Sequence, residues 1–150
     1  MDAREALNVI GVLERCGRVQ VVKGQADAWA LALSHIRLDD AQAAVTSMIR
    51  DPAPANRWVI PGDIVAAVEG IRRERIRAVL DGSLPCPPPQ IDPDDVPAYQ
   101  AWRRSFMRAL GDGRTLHDAE TVACEAAGIP PVHRPVEVHR APEFRQIGGT

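Results

Sequence analysis

Residues 85–97 hold Cys86, the consecutive prolines Pro87, Pro88 and Pro89, and the acids Asp92, Asp94 and Asp95, with further prolines at both ends. Proline fixes φ and has no backbone N–H, so neither a helix nor a central strand runs through such a stretch. The composition favours an extended linker. A chain of 150 residues is thereby cut into two short regions, each with room for only a modest core.

On the amino-terminal side, apolar residues recur at helical spacing. Ala6, Leu7, Val9, Ile10 and Leu13 make one stripe on a first helix that Gly17 stops. The run Val19 to Val22 has no second alternating segment to pair with and reads as a connector. A second helix starting near Gly24 or Gln25 carries Ala28, Trp29, Ala32, Leu33 and Ile36, with Trp29 as its anchor. Asp39 with Gln42 has the spacing of a capping box, so a third helix is expected from there to Arg50, closed by Asp51, Pro52 and Pro54. Trp58, Val59 and Ile60 form an apolar tip expected to fold back. Pro61 and Asp63 then suit the first turn of a fourth helix reaching Leu80.

Beyond the prolines, Tyr99, Trp102, Phe106, Ala109 and Leu110 repeat at helical spacing, with Arg103, Arg104 and Arg108 on other faces. Thr115 and Asp118 mark another helix start, and Gly128 its exit. The expected class is all-α. The organisation read from composition is a helical region at 1–82, a proline-rich acidic linker at 83–97, carboxyl-terminal helices at 98–129, and a tail at 130–150 whose scattered prolines and terminal glycines point to disorder.

Composition narrows the function classes. A formal charge of −2 argues against a protein that coats nucleic acid by bulk electrostatics, leaving nucleic acid as a secondary partner. Cys16, Cys86 and Cys124 contain no paired spacing, so neither a disulfide framework nor a zinc site is indicated. No apolar window is long enough for a membrane span and the amino terminus lacks signal-peptide character, so a cytoplasmic location and no membrane partner are expected. No GxxxxGK[ST] loop is present, and Gly111 and Gly113 read as an interhelical turn. His117, Asp118, Glu120 and Cys124 lie close along one helix but match no metal or acid–base motif, and a solvated face is the simpler reading. His133 and His139 fall in the tail. No catalytic residue, metal or cofactor is expected.

Ala28, Trp29 and Leu33, then LDDAQAAVTSMI at 38–49, then IPGDI at 60–64, follow an order that resembles the phage replicative-helicase loader and inhibitor family, over residues 1–78. The resemblance implies a helical amino-terminal domain, a flexible carboxyl-terminal segment that engages a DnaB-type helicase, and no nucleotide hydrolysis. An initiator or single-strand-binding protein is implied as a further partner. The chain departs from that pattern in carrying a helix after its linker, which leaves open which half meets a helicase.

The candidate partner-binding residues are Tyr99, Trp102, Arg103 and Phe106 on the fifth helix and Arg72, Arg73 and Arg77 on the fourth. Aromatic and arginine side chains bury large areas at interfaces, and clustered arginines pair with carboxylates or phosphates. The aromatic stripe either docks on its own chain or reaches a partner, with Trp102 and Phe106 entering an apolar groove. Two other readings stand beside the adaptor: a DNA-binding regulator with a helix-turn-helix in the third and fourth helices, and an inhibitor of another host protein. The first requires a loop longer than the usual turn.

Overall fold

The structure is a computed structural model that describes residues 1–50, 58–92, 94–130 and 138–139. The fold is all-α: the described residues hold six helices and, besides them, one two-residue antiparallel ladder. The chain divides into two compact units, Met1–Ile71 and Arg72–Thr150. The division falls within a helix, whereas composition draws its boundary at the proline run. No helix among the described residues is long and apolar enough to cross a membrane.

The first unit contains α1 (Ala3–Arg15), α2 (Gln25–Ala32), α3 (Leu38–Arg50) and the beginning of α4 (Pro61–Leu80). A reciprocal capping box opens α1: Glu5 N–H donates to Asp2 Oδ1 at 2.8 Å and Asp2 N–H donates to Glu5 Oε2 at 2.9 Å. At its other end Gly17 takes φ +65°, a conformation that a Cβ disfavours. There Gly17 N–H reaches Glu14 O and Arg18 N–H reaches Leu13 O, both at 2.8 Å, which together satisfy two terminal carbonyls. The Met1 ammonium donates to Ser34 O at 3.0 Å and Ile36 O at 3.2 Å, placing positive charge just past the carboxyl end of α2.

The core of this unit joins Ala6, Val9, Ile10 and Leu13 of α1 to Trp29, Leu33, Ala41, Ala44, Val45, Ile64 and Val68. Two sequence expectations are corrected. Helix α3 begins at Leu38 rather than after Asp39, because Ala41 N–H already bonds Arg37 O at 3.0 Å. Asp39 lies inside the first turn and pairs with Arg37 at 3.2 Å on the surface. Of the apolar tip only Val59 folds in, its N–H donating to Arg18 O at 2.8 Å, while Trp58 and Ile60 stay exposed. The expected loop at 51–57 lies outside the described residues.

The second unit contains the rest of α4, then β1 (Leu84–Pro85), α5 (Val96–Gly111), α6 (Leu116–Ala126) and β2 (Val138–His139), with Leu84 opposite His139 in the ladder. Asp95 caps α5 by accepting from Ala98 N–H at 3.0 Å, and Pro97 occupies its first turn, where a missing donor costs nothing. Thr115 caps α6 by accepting from Asp118 N–H at 3.2 Å. A short turn joins the two helices into a hairpin. Trp102 and Phe106 stack at 5.0 Å and 17°, and both are fully buried among Ala109, Leu110, Ala119, Ala123 and Cys124.

The proline segment is non-helical, yet it is more than a spacer. Ile91 N–H bonds Pro88 O at 3.0 Å, and this turn brings Ile91 into the core of the second unit. Apart from Pro130 and the ladder residues Val138 and His139, which is one of the two tail histidines, the tail expected to be disordered lies outside the described residues.

Two substitutions test this architecture. Trp102→Ala removes the largest buried side chain of the second unit and should cost about 3–5 kcal/mol in chemical denaturation. Gly70→Ala, mid-helix in α4 with nothing within 4 Å of the added Cβ, should raise stability by roughly 0.5–1 kcal/mol in the same measurement.

Candidate protein-interaction face

The arginines of α4 separate into two groups because successive residues on a helix differ by about 100°. Arg72 pairs with Asp112, and Arg75 donates to Gly111 O at 3.1 Å. Both therefore grip the carboxyl end of α5, where unpaired carbonyls and the helix dipole favour cations. Arg73 and Arg77, one turn apart on the opposite side, are exposed and have no ion pair among the described residues. Of the three α4 candidates, Arg72 is thus committed to the fold, while Arg73 and Arg77 are presented to solvent.

On α5 the aromatic stripe divides in the same way. Trp102 and Phe106, expected to enter a partner's groove, are 0% exposed, so they form the unit's own core and are corrected as contact residues. Packing onto α6 wins because the hairpin has few other large side chains to bury. Tyr99 is half-buried and stacks at 6.4 Å on Trp102, which leaves its outer edge accessible. Arg103 is exposed. Beside it the structure brings Val96, Gln100, Arg104 and Met107 together with Tyr99 along a trough of about 470 Å³. Arg104 flanks the aromatic stripe in the sequence reading, whereas Val96, Gln100 and Met107 are missed there, although the spacing of three and four from Val96 through Tyr99 and Arg103 to Met107 carries the signal.

The cluster on α6 also resolves. His117 and Asp118 are exposed, whereas Glu120 and Cys124 are buried. Glu120 belongs to the sequence Leu116, Ala119, Glu120, Ala123, Cys124, which is the inward stripe of a helix with one carboxyl inside it. Desolvation raises the pKa of Glu120 above its ordinary value of 4.5, and the charge of His117 pulls it partly back. Glu120 Oε2 and Trp102 Nε1 lack hydrogen-bond partners among the described residues, an arrangement that costs stability in a packed core. No group of three or more His, Cys, Asp or Glu residues that would hold a metal occurs among the described residues.

In the first unit a groove of about 350 Å³ is lined by Asn8, Val9, Val12, Gln42, Val45 and Thr46, none of them titratable. Many of the residues that carry the family resemblance serve packing and helix starts, while Ala28 and Ile60 are exposed. Trp29, Leu33, Ala41, Ala44, Val45 and Ile64 are buried, and Pro61 is the first residue of α4. No protein-family model, curated protein or solved structure matches this chain.

The second unit thus combines exposed arginines and a half-buried Tyr99 with a buried carboxyl at Glu120. The folded state holds the proton of Glu120 more tightly than the unfolded chain does. Its stabilising contribution is full below the ordinary pKa and is lost as pH rises through the raised one. Glu120→Gln removes that dependence. In thermal melts, the variant should gain stability relative to the parent on going from about pH 4 to about pH 7.

Proposed function

We propose that this protein is a non-catalytic adaptor that binds a larger protein through the arginine surface of its second unit, with a DnaB-type replicative helicase as the partner that the family resemblance names. In this reading residues 1–82 are the loader-like helical region, and α5 and α6 make the carboxyl-terminal arm. The observation that carries the reading is the division of labour on α4. Arg72 and Arg75 are used inside the unit, while Arg73 and Arg77 stand one turn apart, exposed and in no ion pair among the described residues, although Glu69 and Glu74 lie three or four residues from them on the same helix. Exposed guanidinium pairs of this kind suit carboxylates on a partner surface and steer its approach.

Helices over two small cores, three of them capped by the side chains of Asp2, Asp95 and Thr115, support a scaffold for display. An initiator or single-strand-binding protein fits the same surface chemistry as a further partner. A phage-encoded inhibitor acting on a different host protein would use the same face. A DNA-binding regulator would use it against phosphates, and steep loss of duplex binding with salt is its mark.

The test is complex formation with the cognate replicative helicase, followed by light scattering after size exclusion. The parent protein should form a complex, and Arg73→Glu combined with Arg77→Glu should weaken it by about tenfold or more, corresponding to roughly 1.4 kcal/mol. A complex indifferent to this double reversal would remove α4 from the contact. No complex at micromolar concentration would sink the helicase reading.

A further inference from the structure

The trough along α5 is a second surface, separate from Arg73 and Arg77. Val96, Tyr99, Arg103 and Met107 follow one another at spacings of three and four, and Gln100 and Arg104 form the adjoining row. Together they make one strip that borders the buried side of the helix without including it. Val96 is 54% exposed, while Tyr99 and Met107 are half-buried, so their inner atoms pack on the core and their outer atoms remain available. Arg103 and Arg104 are exposed and have no ion pair among the described residues. The row Val96, Tyr99 and Met107, with Arg103 set into it, thus runs beside Gln100 and Arg104 on one helix.

We infer that this strip docks an acidic amphipathic helix from a partner protein, its apolar side chains over Val96, Tyr99 and Met107 and its carboxylates over Arg103 and Arg104. Guanidinium groups donate to carboxylates in bidentate geometry, and helix-on-helix docking uses anchors at this spacing. The inference deepens the adaptor reading at a different helix, and rests on it in taking the occupant to be a protein.

Charge selects this occupant over two others. A nucleic-acid strand laid along α5 would pass Asp92, Asp94 and Asp95, all exposed at the amino end of the same helix, and its uniform phosphates would be repelled there. A peptide can place its acids at the arginine end alone. A second copy of this chain laid antiparallel so that Val96 meets Met107 would set Tyr99 against Arg104 and Gln100 against Arg103. Four guanidinium groups would then gather near the two-fold axis with no carboxylate between them. The occupant therefore carries its acids toward one end and neutral or basic residues toward the other. The strip is far smaller than a standard interface of about 20–30 residues a side, so binding through it alone is weak, on the order of tens of micromolar or weaker.

The experiment uses the full chain and two labelled synthetic amphipathic peptides with the same leucine spacing, one bearing glutamates at one end and the other lysines. Fluorescence anisotropy should show the glutamate peptide binding at least about tenfold more tightly, a difference of about 1.4 kcal/mol. Arg103→Glu with Arg104→Glu should reverse the preference, and Val96→Asp should weaken binding. The second substitution keeps the fold, since a carboxylate suits the first turn of a helix, and circular dichroism verifies it. Arg73→Glu with Arg77→Glu should leave peptide binding unchanged, which keeps this result separate from the helicase test.

Equal binding of the two peptides, or insensitivity to the Arg103 and Arg104 reversals, overturns the inference. So does a single-stranded oligonucleotide that binds more tightly than the glutamate peptide and is lost with the same reversals. A dimer of the chain that Met107→Asp dissociates would assign the strip to a second copy instead.

Discussion

Two guanidinium groups laid across the carboxyl end of α5 decide what the second unit presents. The last turn of any helix leaves carbonyls without intrahelical donors. Here Gly113 N–H and Arg114 N–H take Leu110 O and Ala109 O, Arg75 takes Gly111 O, and Arg72 meets the Asp112 carboxylate. Those attachments fix the rotation of α4 about its own axis. With residues 72, 75 and 76 turned toward α5, helical geometry puts Arg73 and Arg77 outside. One short arginine run thus supplies both the fastening and the display.

The rest of the second unit shows how a chain with 4% aromatic residues builds a core. Alanines at 109, 119 and 123 let the two helices approach, and the stacked Trp102 and Phe106 fill the space that alanine leaves. The same economy places a carboxyl among them. Glu120 and the Trp102 indole are polar groups in a region with little polar company, so this core works against an internal cost that an all-apolar version would lack.

Most of the helical order was legible in the sequence, because caps and apolar spacing act within a few residues. Thr115 sits at a real helix start, and Gly17, Gly113 and Gly128 follow real helix ends, whereas Asp95, which composition assigns to the linker, caps α5. Adjacent acids defeated the same logic at α3: Asp39 and Asp40 both suit a first turn, and the Arg37 carbonyl settled the start two residues earlier than the cap rule gives. The site was legible in residue type but less so in orientation. Tyr99, Trp102, Arg103 and Phe106 all lie on one amphipathic helix, yet which of them turn inward depends on where α6 packs, and that is a tertiary fact. Ile91 shows the limit of composition, since a segment that reads as linker still gives a side chain to the core.

The three tryptophans have an optical consequence. Trp29 lies in the core of the first unit and Trp102 in that of the second, while Trp58 is 56% exposed. Intrinsic emission is therefore the sum of two shielded indoles and one wetted one. Each core carries its own chromophore, and the red-shifted component from Trp58 is already present in the native spectrum.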